Sequence, residues 1–106
     1  MSSLVIAPSA ENELNAIVDY MAFDLGNPEA ANDFLDDIEN TYDTLESMPN
    51  AFPCCKDAYL RANGYRQVGV KDYIMIYRIE DENDIVRILH FYHGSQDYLA
   101  RLLAET

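Results

Sequence analysis

Tyr73-Ile74-Met75-Ile76-Tyr77-Arg78-Ile79, preceded by Gly64-Tyr65-Arg66 and followed by Val86-Arg87-Ile88-Leu89-His90, decides the fold of this chain. Aromatic and β-branched residues dominate all three pieces, as in strands. Lys71-Asp72 reads as a two-residue turn between the first pair, and Asp81-Glu82-Asn83-Asp84 as a longer turn between the second. The strands are apolar nearly throughout, so they are expected to be covered, at least in part, on both faces. His93-Gly94-Ser95-Gln96-Asp97-Tyr98 comes next, a polar motif at the point where the sheet ends. Leu99, Leu102 and Leu103 then predict a short closing helix over residues 96–104.

Working outward, the N-terminal half changes period. Leu4-Val5-Ile6 is a short apolar strand, and Ala7-Pro8-Ser9 breaks it, with Ser9 as the expected N-cap of a helix. Leu14, Ile17, Val18, Met21 and Leu25 recur at helical spacing until Gly26 supplies a stop. Asn27-Pro28 restarts a helix, the asparagine as cap and the proline at its first position. Its stripe is Ala31, Phe34, Leu35, Ile38, Tyr42, Leu45 and Met48, ended by Pro49. Two helices joined so closely fold back as a hairpin. Residues 49–63 read as irregular. The order β-α-α-β-β-β with a short C-terminal helix predicts an α+β domain: an antiparallel sheet packed against an N-terminal helical hairpin.

The length of 106 residues and the 49% apolar content suit one domain, residues 1–106, with a real core. No apolar run approaches the roughly 20 residues of a membrane span. Cys54 and Cys55 are neighbours, so a bridge between them would close a strained ring; free thiols in a reducing cytoplasm are the expectation. The net charge of −12 is unevenly placed. Residues 1–50 hold eleven carboxylates and no Lys or Arg; all seven basic residues lie in residues 51–106, which are nearly neutral. Such a surface is either a solvated acidic helix face or one that attracts a basic partner. Non-specific binding to nucleic acid is not expected.

Standard catalytic signatures are missing. There is no Gly-rich phosphate loop, nucleophile elbow or Walker lysine. His90, His93, Cys54 and Cys55 fit no zinc spacing, so neither a metal nor another cofactor is expected. The carboxylates alternate with apolar residues on amphipathic helices, which reads as a solvated face rather than a paired-acid hydrolase. The chemistry concentrates instead in Arg66, Lys71, Arg78, Arg87, His90, His93 and Tyr98 at one sheet edge. Strict alternation puts Arg87, Leu89 and Phe91 on one face and Val86, Ile88, His90 and Tyr92 on the other. Arg78 and Arg87 become cross-strand neighbours if the register allows it. The competing structural reading pairs these arginines with Glu80, Asp84 or Asp97 and makes His90 a satisfied core histidine.

Taken in order, these pieces resemble the RelE/ParE superfamily of toxins from type II toxin–antitoxin modules. The resemblance rests on Gly64-Tyr65-Arg66, on Tyr73 through Ile79, on Val86 through His90, and on the His93-Gly94-x-x-Asp97-Tyr98 ending. The first half matches through Asn27-Pro28-x-x-Ala31-x-x-Phe34-Leu35. The likeness covers nearly the whole chain and implies the fold already derived. It also implies a cytoplasmic toxin of the plasmid-stabilisation type with a cognate antitoxin as partner.

Within that superfamily, RelE-like members cleave messenger RNA on the ribosome without a metal, and ParE-like members poison DNA gyrase. Phosphoryl cleavage needs a base for the 2′-hydroxyl, cations for the phosphorane and an acid for the leaving oxygen. The resemblance makes Arg66, Arg87, His90, His93 and Tyr98 catalytic candidates, and Arg66, Lys71, Arg78 and Gln96 candidates for target binding. Ile74 stands where the nucleases place an arginine after the tyrosine, and Ser95 and Gln96 where a basic residue is expected. Those departures, with the acidic balance, point to gyrase, with the ribosomal endoribonuclease as the alternative. The same substitutions also suit a module of another class, one that binds antitoxin without toxicity.

Overall fold

Antiparallel ladders join the three C-terminal strands as the sequence predicts. The computed structural model describes residues 2–80 and 84–105, so the turn expected at 81–84 falls mostly outside the described residues. β1 spans Ser3–Ile6, β2 Tyr65–Val70, β3 Tyr73–Glu80 and β4 Ile85–His93. The helices are α1 (Pro8–Asp19), α2 (Pro28–Ser47), α3 (Ala58–Ala62) and α4 (Tyr98–Glu105). The sheet order is β1-β4-β3-β2. β1 lies parallel to β4, with Leu4 opposite Val86 and Ile6 opposite Ile88. The sheet is therefore mixed rather than wholly antiparallel. A parallel neighbour needs a long crossover, and here everything from α1 to β3 supplies it.

The helical hairpin forms for the expected reasons, with two adjustments. Asn27 Oδ1 accepts the Ala30 N–H at 3.1 Å, Pro28 opens α2, and Gly26 takes the left-handed φ of 63° that closes the first helix. Ser9 is not the cap. Pro8 already occupies the first turn, Ala7 precedes it without a side-chain bond, and the Ser9 hydroxyl instead donates to the Leu89 carbonyl at 3.0 Å. α1 continues as a wider π turn over Tyr20–Asp24, in which Leu25 N–H reaches back five residues to Tyr20 O at 2.9 Å. An inserted residue rotates the side chains beyond it by about 100°. Leu25 thereby leaves the stripe of Leu14, Ile17, Val18 and Met21 and is 59% exposed.

Both faces of the sheet are covered. On the helix face, Ala10, Phe34, Ile38 and Leu45 pack with Val70, Met75, Tyr77, Val86, Ile88 and Phe91. On the other face Cys55, Leu60, Ile76, Tyr92 and Leu102 form a second, smaller core. Residues 49–63 are not wholly irregular: Asp57 caps the short α3 through Leu60 N–H at 3.0 Å. Residues 53–55 hydrogen-bond to the free edge of β2, Cys55 N–H to Tyr65 O and Gln67 N–H to Pro53 O.

The faces of β4 are not those that strict alternation predicts. Ile76 pairs with His90 and Tyr77 with Ile88, so Leu89 has no partner and forms a bulge. One extra residue exchanges the faces beyond it. Phe91 therefore joins Val86 and Ile88 in the main core, while His90 and Tyr92 turn to the face of Arg87 and Ile76.

Candidate functional site

The sequence cluster resolves into three groups that the sheet keeps apart. The first lies at the end formed by the β2–β3 turn and the residues after β4. Lys71, at the left-handed φ of 55° that the tight turn imposes, reaches across to α2 and pairs with Asp37 at 3.1 Å. Gly94 N–H donates to Asp72 O at 2.7 Å. A Cβ at position 94 would stand 3.1 Å from that same oxygen, so the close approach suits glycine.

His93 is locked by its own motif. Its backbone N–H donates to Gln96 Oε1 at 2.7 Å, and its Nδ1 receives the Ser95 N–H at 3.0 Å with Ser95 Oγ at 2.6 Å. An N–H can only donate, so in the neutral ring the proton sits on Nε2. The imidazole meets Tyr73 edge-on at 5.1 Å, and Tyr73 in turn tilts against Phe34 at 5.4 Å. Burial, aided by Tyr20 and Asp72, holds the Tyr73 phenol above its ordinary pKa. Ser95 and Gln96, standing where the superfamily resemblance led one to expect basic residues, thus act as turn locks.

A second group is an aromatic ladder on the face opposite the hairpin. His90 stacks on Tyr92 at 5.1 Å and Tyr92 on Tyr98 at 6.4 Å; Tyr98 donates to Gln67 Oε1 at 3.3 Å. Ile74 packs partly buried beside this ladder, against the small core. His90 is buried, with Nδ1 3.1 Å from Glu13 Oε1. Glu13 also accepts the Phe91 N–H at 3.2 Å. β1 ends opposite Ile88, so the edge of β4 beyond it must find partners elsewhere. Ser9 and Glu13 of α1 provide them.

The Glu13 contacts give a direct test. Glu13→Leu is expected to cost about 1–3 kcal/mol by leaving the Phe91 N–H without its acceptor. Glu13→Gln, which keeps an oxygen there, should recover most of it. Denaturant titration of the two variants, with hydrogen exchange at the Phe91 amide, checks this.

Arg78 and Arg87 form the third group. Arg78 and Arg87 are register partners, as alternation allows, but their guanidiniums are committed separately. Arg87 makes a two-pronged bond to Glu80, Nε to Oε1 at 2.7 Å and Nη2 to Oε2 at 3.3 Å. The bond from Arg87 holds the Glu80 carboxyl below its usual range and raises the Arg87 pKa in turn. Arg78 lies over the Tyr65 ring, 5.1 Å from its centroid. Arg66 sits elsewhere again, on the hairpin face beside Tyr77, where its Nη1 donates to Phe52 O at 2.7 Å and holds the 49–55 segment against β2. Among the described residues, no three His, Cys, Asp or Glu side chains are grouped to hold a metal ion.

Sequence reasoning did not single out Glu13, Phe34, Asp37 or Tyr73 for this region. Glu13 meets its partners 77 and 78 residues away, and nothing local announces that. The Asn27-Pro28 restart does signal what Phe34 does, since it orients α2 over the β2–β3 turn. There, Met21, Leu25, Ala30, Asp33 and Phe34 face Lys71 and Asp72 across a cleft of about 320 Å³.

With this geometry in place, likeness to known proteins can be read. A family model described as ParE toxin of type II toxin-antitoxin system, parDE, matches residues 4–98. A chain from the chromosomal ParDE TA system of P. aeruginosa has a TM-score of 0.68 at 22% identity, over 88% of this chain and 96% of that one. A chain of the RelBE2 toxin-antitoxin complex from Mycobacterium tuberculosis gives 0.46 at 16% identity, over 90% and 93%. No curated protein sequence matches.

Proposed function

The chain belongs to the ParE toxin family of type II toxin–antitoxin systems, and we propose that it arrests growth by acting on DNA gyrase, restrained by a cognate antitoxin. The observation that carries this choice of target is the commitment of the four cations on and beside the C-terminal strands, Arg66, Lys71, Arg78 and Arg87. A phosphoryl-transfer centre needs several positive groups converging on one point. Here Lys71 is held by Asp37 at the β2–β3 turn and Arg66 by the Phe52 carbonyl on the hairpin face, while the cross-strand neighbours Arg78 and Arg87 are engaged by the Tyr65 ring and by Glu80. Ile74 lies against the small core, where an arginine would have to displace apolar packing. A −12 chain is also repelled from the phosphate-dense ribosome, whereas a protein target imposes less repulsion.

One feature favours the competing nuclease reading: the His93–Tyr73 pair places an imidazole and a phenol side by side at the Lys71 end. Both readings are tested by inducing the chain alone in a bacterial host and following thymidine and amino-acid incorporation over the first minutes. DNA synthesis is expected to fail first, and purified gyrase to lose supercoiling activity. If protein synthesis collapses first, the nuclease reading replaces this one. If neither changes with soluble protein present, the chain binds antitoxin without being toxic.

A further inference from the structure

We infer that the cleft between the tip of the helical hairpin and the β2–β3 turn is the anchor point for a basic segment of the antitoxin carrying one large apolar side chain. The inference rests on the family function above and adds to it a place and a chemistry. The cleft of about 320 Å³ has Met21, Ala30 and Phe34 among its walls and Leu25 at its mouth. An apolar cavity of about 150 Å³ takes a benzene molecule, so this one accommodates a leucine or phenylalanine side chain with room to enter.

Apolar exposure is concentrated beside it. Leu25 is 59% exposed, Phe23 78% and Tyr20 47%, the last two within the π turn and Leu25 directly after it. Exposed apolar groups gathered at one place mark an interaction surface more often than scattered ones do.

The surrounding charge selects what can approach. Asp24, Glu29, Asp33 and Asp36 are exposed on the hairpin, and no Lys or Arg occurs anywhere in residues 1–50. The cation at the cleft, Lys71, is already paired with Asp37. An acidic or phosphate-bearing ligand is repelled there, and a second copy of the chain meeting this face would bring the same acids with it. A flexible segment that folds as it binds, with an apolar anchor between lysines or arginines, matches both the pocket and the field.

Three synthetic helix-forming peptides of Lys/Leu, Glu/Leu and Lys/Ser composition test the chemistry, with affinity measured by fluorescence anisotropy. The Lys/Leu peptide is expected to bind one to one and to weaken severalfold when salt is raised, as screening requires. Ala30→Trp, which fills the cleft, and Leu25→Ser, at an exposed site, should each weaken it at least tenfold while the protein still melts cooperatively. Should Leu25→Ser leave the Lys/Leu affinity within twofold, the attraction comes from the overall field and the inference is wrong. Equal binding of the Glu/Leu peptide overturns it too. These readouts do not involve toxicity, so a non-toxic chain that captures the peptide refutes the gyrase reading and leaves the cleft standing. In cells, growth arrest by the Leu25→Ser variant should escape rescue by the co-expressed cognate antitoxin; full rescue would exclude the antitoxin as occupant.

Discussion

Phe34→Ala is expected to lower the stability of this domain by about 3–5 kcal/mol, the usual cost of deleting a buried ring. Phe34 is fully buried in the main core. Its ring supports Tyr73, which supports His93, so the loss is felt at the β2–β3 turn and the His93 motif together. A domain of this size holds about 5–15 kcal/mol in total, and the melting temperature should fall by roughly 20 °C. Phe23→Ala removes the same group from a site 78% exposed and should change stability by no more than about 0.5 kcal/mol. Thermal unfolding of the two variants side by side separates burial from residue type. A drop below about 1 kcal/mol for Phe34→Ala would mean that α2 does not seat on the sheet as described.

The elements legible in the sequence were those specified by neighbours in the chain. Asn27-Pro28 opens α2, Gly26 stops the helix before it, and Lys71-Asp72 sets the β2–β3 register through Val70 opposite Tyr73. The stripe through Ala31, Phe34, Ile38 and Leu45 is buried as its spacing requires. The Arg87–Glu80 pair is similarly local, joining the two strands of one hairpin.

The rest depends on contacts that the sequence does not announce. Every residue from Ile88 to Phe91 is tolerated in a strand, so nothing there marks Leu89 as the bulge. The long-range partners Ser9 and Glu13 hold that bulged edge. Strict alternation therefore assigned Phe91, His90 and Tyr92 to the wrong faces. The π turn after α1 is hidden for a related reason: Leu25 continues the apolar spacing but not the burial. The candidate site is dispersed for a different reason, since each cation takes the nearest partner its own strand position offers. Arg66, Arg78 and Arg87, one on each of the three strands, hold a loop, a ring and a carboxylate, and only Arg78 and Arg87 are neighbours. His93 lies at the end of the sheet as its sequence position predicts, and its neighbours Ser95 and Gln96 hydrogen-bond to it.

Above pH 10 the fold is expected to lose stability steeply, because burial keeps the protons on two tyrosine phenols. Burial, reinforced by Glu11, pushes Tyr42 up to about 12. Burial likewise pushes Tyr77 to about 12 against a partial offset from Arg66. In the unfolded chain both titrate near 10, so between about 10 and 12 the unfolded state binds fewer protons than the folded one. Stability therefore falls as pH rises through that window and levels off beyond it. Each pKa unit corresponds to about 1.4 kcal/mol, giving an upper bound of about 5 kcal/mol for the pair, comparable to the whole stability of a small domain. Cys55, raised from 9 to about 11 by its burial and by Cys54 and Asp57, adds to the loss from its lower end. Circular dichroism and tyrosinate absorbance, followed together from about pH 9 to 12, should show the last phenols ionising only as the sheet unfolds. Tyr42→Phe removes a buried hydroxyl that has no hydrogen-bond partner among the described residues and should be neutral or stabilising at about pH 7. Tyr77→Phe gives up only a 3.4 Å bond to the Pro49 carbonyl. The double variant should move the alkaline midpoint upward, leaving the Cys55 part of the slope. If it unfolds at the same pH as the parent chain, repulsion among its surface charges rather than the buried phenols sets the alkaline limit.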